Sequence, residues 1–131
     1  MSVGQSSPRV LLGAADMLLS ESRVGLEGRW PAAVTVLLRQ ALERSLMVLW
    51  RSKAPAMEQQ PYRVQLLSLR RFIDRDLAAS VDHAWHSLSH ACHQGGYDLP
   101  PTAAELANWF DTVEALTRTV ERSTAATARP S

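Results

Sequence analysis

The chain has 131 residues, 46% hydrophobic and 21% charged, a composition that buries a single-domain core and excludes an intrinsically disordered polymer. Its formal net charge of +1 gives no global field from which to argue for a nucleic acid or a membrane surface, so local patches must decide. A single cysteine, Cys92, excludes an intramolecular disulfide and a cysteine-rich zinc site.

Met1 to Ser7 lacks the basic start and apolar run of a signal peptide. It reads as a disordered N-terminus ahead of one domain over residues 8–122. No apolar stretch approaches the roughly 20 residues of a membrane span, so the expectation is a cytoplasmic protein with no membrane partner. The first helix is predicted from Pro8 to about Arg23, with Leu11, Ala14, Ala15 and Leu18 at helical spacing and Ser7 as its cap. Gly25 and Gly28 break that pattern. The second helix, Pro31 to about Ser52, carries Val34, Leu37, Leu38, Ala41, Leu42, Leu46, Leu49 and Trp50 in a wide apolar stripe, the mark of a central helix.

Pro55 and Pro61 bracket a loop containing Glu58, Gln59 and Gln60. A third, shorter helix follows from Tyr62 to Ile73 with Tyr62, Leu66, Leu69 and Ile73 aligned. Asp74 or Asp76 is placed to cap a fourth helix running to about Gln94, which Gly95-Gly96 would stop. Thr102 and Glu105 have the spacing of a capping box at the start of a fifth, whose buried face is Leu106, Trp109, Phe110, Val113, Leu116 and Val120. Residues 123–131, small and polar, read as a flexible tail. The pattern is all-α: an antiparallel bundle of four to five helices.

The fourth helix separates into two faces on a helical wheel. Leu77, Val81, Ala84, Leu88 and Ala91 fall on one side, with Trp85 and Cys92 at its edge. His83, His86, His90 and His93, all the histidines of the chain, occupy an arc of roughly 80° on the other side. Such a row has several uses. Imidazoles at i, i+4, as His86 and His90 are, can share a metal ion, but two ligands do not complete a site and the expected supporting carboxylate is Asp76, a turn earlier. Acid–base chemistry in a dimer cleft is a second use, and a polar outer face is the third. Cys92 reads as a core residue, with no activating charge beside it. The tryptophans and Phe110 have core spacing. Arg63, Arg70 and Arg71 share a flank that can touch phosphate or be plain solvated surface. No glycine-rich phosphate loop, Ser/His/Asp signature or pair of catalytic glutamates occurs.

The run Ala33-Val34-Thr35-Val36-Leu37-Leu38-Arg39-Gln40-Ala41-Leu42-Glu43 resembles the long second helix of HEPN domains (higher eukaryote and prokaryote nucleotide-binding). The segment His86-Ser87-Leu88-Ser89-His90-Ala91-Cys92-His93, with the stretch through Thr102, resembles the late-helix region of actinobacterial-type HEPN-like proteins. The resemblance spans roughly residues 8–120. It implies a HEPN-like helical bundle that forms a homodimer. Many such domains are metal-independent ribonucleases with an Arg-x4–6-His motif in the shared cleft. Others are binding or dimerisation modules beside a nucleotidyltransferase or in toxin–antitoxin pairs.

No arginine lies five to seven positions before any of the four histidines; Arg75 precedes His83 by eight. His86-x6-His93 comes nearest, with an imidazole where the family has a guanidinium fork, which is always charged and bidentate. The departure falls on the residue that grips phosphate. The leading expectation is therefore a dimeric binding or regulatory module for RNA or a protein partner (a nucleotidyltransferase or an antitoxin). It needs no cofactor, and His83, His90, Arg39 and Arg44 are its binding residues. The second is a divergent ribonuclease in which His86 and His93 act and Arg39 or Arg44 is supplied from the second helix or the partner subunit. The third is a divalent-metal-binding bundle.

Overall fold

The computed structural model describes residues 6–22, 30–93 and 100–128. They form five α-helices and one short 3-10 helix: α1 (Pro8–Ser22), α2 (Trp30–Lys53), the 3-10 turn (Pro55–Gln59), α3 (Tyr62–Leu69), α4 (Arg75–His93) and α5 (Ala103–Ala128). No strand occurs among the described residues, and none of these helices is long and apolar enough to cross a membrane. The predicted breaks at Gly25, Gly28 and Gly95-Gly96, and the helix ends at Arg23 and Gln94, lie outside the described residues.

Local chemistry sets most of the helix starts. Ser7 Oγ accepts from Val10 N (3.3 Å) at the head of α1. Of the two aspartates offered as caps for α4, Asp74 takes the role: its Oδ2 accepts from Leu77 N (3.1 Å) and its carbonyl from Ala78 N (2.9 Å). The capping box of α5 forms in both directions, Thr102 N to Glu105 Oε1 (3.0 Å) and Glu105 N to Thr102 Oγ1 (3.1 Å).

Three predicted features differ. The Pro55–Pro61 segment is a 3-10 turn, because the fixed φ of Pro55 suits a helical start and Met57 N reaches the Ala54 carbonyl (2.9 Å). Helix α3 stops at Leu69 rather than Ile73. Arg71 and Phe72 turn back onto the Ser68 and Leu69 carbonyls in i−3 bonds, which frees Asp74 to cap α4 while leaving Ile73 buried. Helix α5 continues past Ser123 to Ala128, carried by helix-forming alanines and by Thr124 Oγ1 bonding the Val120 carbonyl (2.9 Å).

Helix α2 is the centre. It packs against α1, α4 and α5, and Val34, Leu38, Ala41, Leu42, Leu46, Leu49 and Trp50 are fully buried. Helix α1 contributes Leu11, Leu12, Ala15 and Leu19. Leu12 and Leu19 are buried in place of the predicted Ala14 and Leu18, a rotation of the stripe that keeps its helical period. Helix α4 adds Ala78, Val81, Ala84 and Leu88, and α5 adds Leu106, Trp109, Val113, Leu116 and Val120.

The buried polar residues of this core, Thr35, Ser45, Gln65 and Thr117, are bonded, Thr35 to the Pro31 carbonyl (2.7 Å). Thr117 Oγ1 donates to the Val113 carbonyl (2.9 Å), so the 2.8 Å contact with Ser45 Oγ must run from Ser45 to Thr117. Trp50 Nε1 donates to Gln65 Oε1 (2.8 Å), and Gln65 Nε2 donates to the Gln60 carbonyl (2.8 Å). Phe72 meets the Trp50 ring edge-on with centroids 5.2 Å apart. At the surface Arg9 of α1 bonds Glu114 and Glu121 of α5, and Arg118 also reaches Glu114.

Two predictions follow from these contacts. Gln65→Leu fills the same space but strands the Trp50 indole N–H inside the core; the expected loss is about 1–3 kcal/mol, read as a lower urea midpoint at unchanged slope. Hydrogen bonds from Arg9, set against slight burial, hold the Glu121 carboxyl below the usual carboxylate range. The stability it contributes is therefore present above the ordinary glutamate value and lost as pH falls through the lowered one. Both partners are about half exposed, so Arg9→Ala should cost only about 0.5–1 kcal/mol at neutral pH, and melting curves of the two proteins should converge in acid.

Candidate functional site

With three sides of α2 covered, its polar residues gather on the remaining strip, where Arg39, Gln40, Glu43, Arg44 and Met47 are all half-buried. One edge of this strip meets α4. Arg39 Nε donates to Glu43 Oε2 (3.3 Å), and Trp85 Nε1 of α4 donates to the same oxygen (3.3 Å). Two turns further along α4, the Cys92 side chain lies close to the Arg39 guanidinium. Burial lowers the Arg39 pKa, but Cys92 and Glu43 outweigh it and the net direction is upward. Because Glu43 meets Trp85 while Arg39 meets Cys92, the two helices run antiparallel.

The aromatic rings extend this seam in both directions. Tyr62, at the start of α3, packs against Trp85 (centroids 5.4 Å), and His86 meets Trp85 edge-on (5.2 Å, 82°). Burial raises the Tyr62 pKa, and Glu43 raises it further against the opposing pull of Arg39 and Arg44. A continuous line of contacts therefore joins Cys92, Arg39, Glu43, Trp85 and His86.

Each predicted site residue can now be placed. His83, His86, His90 and His93 are all exposed on α4, on the side away from Val81, Ala84 and Leu88. His83 also borders a groove of about 300 Å³ between α4 and α5, beside Asn108, Trp109 and Thr112. His86 Nε2 lies 3.3 Å from Asp82 Oδ1, four residues back. That carboxylate, rather than Asp76, supports the row, and the pair is exposed enough that its energetic weight is small. Arg39 touches α4 at Cys92, next in sequence to His93, whereas Arg44 points its chemistry toward a separate cavity beside Tyr62 and Gln65. Among the described residues no three histidine, cysteine, aspartate or glutamate side chains come together to hold a metal, so His86 and His90 have no third ligand. Arg63, Arg70, Arg71 and Arg75 are exposed around α3.

The chain matches no known family model, no curated protein and no solved structure. The site therefore has to be read from its own geometry.

Some of that geometry was within reach of the sequence. Asp82 to His86 is an i, i+4 pair on one helix and is visible as spacing alone. The charge beside Cys92 was not, because Arg39 arrives from another helix; the expectation of a thiol without a neighbouring charge is corrected by that contact. The sharing of Glu43 by Arg39 and Trp85 is likewise a product of packing between helices. A double-mutant cycle tests it: Trp85→Phe keeps the ring and loses the donor, and Glu43→Leu removes the acceptor. Chemical denaturation should return a coupling energy of about 0.5–1.5 kcal/mol between the two sites. A value near zero would mean that ring packing alone holds Trp85.

Proposed function

We propose that this chain is a HEPN-like bundle acting as a dimeric binding module, with the outer face of α4 as its docking surface and RNA as the ligand. The observation that supports this most is the disposition of the histidines. All of them are exposed on one side of α4, none is used by the core, and no arginine shares their row. Over ten residues the row extends roughly 15 Å along the helix, long enough to meet several nucleotides or the same row of a second copy. A neutral imidazole offers one donor and one acceptor, so the face suits base edges and sugar hydroxyls as well as phosphate.

A ribonuclease is the second reading, and the position of Arg39 favours it. Arg39 reaches α4 at Cys92, the residue before His93 in sequence, and carries the guanidinium that the histidine row lacks. Against this, Arg39 is already engaged by Glu43 and Cys92, which competes with phosphate for its donors.

Light scattering at micromolar concentration should give twice the chain mass. His86→Glu with His90→Glu should return it to a monomer by placing four like charges across a symmetric contact. A labelled single-stranded RNA incubated in chelator should be retained by the protein without being shortened, and the same double variant should release it. A wild-type monomer would remove the shared face. Cleavage that disappears in both His86→Ala and His93→Ala would establish the nuclease instead.

A further inference from the structure

The second edge of the open strip on α2 is a cavity. It measures about 360 Å³ and is closed by the 3-10 turn and the start of α3; Gln40, Glu43, Arg44, Met47, Trp50 and Tyr62 line most of it, with Glu58 and Gln65 beyond. That volume lies at the small end of ligand sites, enough for a molecule built on one ring.

The groups in its wall fall into two sets. Several are already occupied. Glu43 accepts from Arg39 and Trp85, Glu58 accepts from Arg51 (2.8 Å), and both polar ends of Gln65 are used by Trp50 and the Gln60 carbonyl. Two are not. Among the described residues the Arg44 guanidinium makes no hydrogen bond or ion pair, and Gln40 Oε1 is buried with no donor at all. A buried amide oxygen without a donor is uncommon in folded proteins, and this one belongs to a side chain that lines the cavity. With both glutamates neutralised by their own partners, Arg44 is the charge left to meet a ligand, and it selects an anion. Gln40 selects a hydrogen-bond donor. The side chains of Met47 and Tyr62 between and around them offer thioether and aromatic surface suited to a flat ring.

Gln40 and Arg44 are one turn apart on the same face of α2, which sets their Cβ atoms about 5–6 Å apart. A ring lying along the helix can thus present its acid to Arg44 and a donor on its opposite edge to Gln40. We infer that this cavity binds a small aromatic carboxylate bearing a hydrogen-bond donor across the ring from its acid group. The proposal is independent of the histidine face, and its failure would leave that reading untouched.

Calorimetric titration of the full chain with 4-hydroxybenzoate, benzoate and 4-hydroxybenzyl alcohol tests it, since the three probes carry both groups, the acid alone and the donor alone. Saturable one-to-one binding of 4-hydroxybenzoate is expected, with benzoate about five-fold weaker and the alcohol at least ten-fold weaker. Arg44→Gln should weaken 4-hydroxybenzoate about ten-fold or more, and Gln40→Leu should erase its advantage over benzoate. His83→Ser, in the other groove, should change nothing. Circular dichroism establishes that each variant is folded. As a readout that needs no variant, ring-current shifts from 4-hydroxybenzoate on the wild-type protein should fall on Gln40, Met47, Tyr62 and Gln65. No saturable binding at millimolar probe, binding unaffected by Arg44→Gln in a folded variant, or shifts confined to the histidine row would each overturn the proposal.

Discussion

Helix α2 is covered by α1, α4 and α5, and the rest of the bundle is arranged around that burial. Along the enclosed length of such a helix, charged residues belong on the strip that remains. In this chain the strip runs through Arg39, Gln40, Glu43, Arg44 and Met47 and becomes the wall of two different features. On one edge Glu43 and Arg39 meet Trp85 and Cys92 of α4, and on the other Gln40 and Arg44 face a cavity closed by α3. The chemistry of the molecule is concentrated there because the packing leaves it nowhere else on the central helix.

The same constraint decides what happens to the large aromatic groups. Trp50 is fully buried at the C-terminal half of α2, where its indole N–H must find an acceptor that water cannot supply. Gln65 supplies it and is itself tied to the Gln60 carbonyl, so one side chain links the core of α2, the helix α3 and the chain just before α3. Trp85 solves the same problem differently. It is half-buried, donates to Glu43, and packs its ring against Tyr62 and His86. One tryptophan fastens α3 to the core, and the other fastens the histidine-bearing helix to the polar strip.

The architecture was legible because it rests on period and punctuation. The apolar repeats of α2 and α5, the Thr102–Glu105 box and the aspartate before α4 each specify their element within a few residues of sequence. The misplacements are equally physical. Which neighbouring leucines of α1 turn inward depends on the angle at which it meets α2, and α3 ends early because Asp74 is needed as a cap. For the candidate site the boundary is sharper. The histidine row and the Asp82–His86 pair are properties of one helix, so spacing revealed the row and contained the pair. Arg39 beside Cys92, Glu43 shared with Trp85, and the donorless oxygen of Gln40 arise only when helices meet, and nothing in a single stretch of sequence encodes them.

The hydroxyl chain from Ser45 through Thr117 to the Val113 carbonyl bears on a different question, namely which bundle the chain does not form. Two helices faced mostly with leucine, valine and alanine can slide past each other by a turn, or pair with the wrong neighbour, and still bury nearly the same apolar area. In any such arrangement Ser45 would lose its partner across the seam, because Thr117 is the buried hydroxyl of the described core that meets it. Two small polar atoms at the interface of α2 and α5 thus act as an index mark for a seam that is otherwise tolerant of error. They make the native alignment the one in which these two hydroxyls meet across the seam.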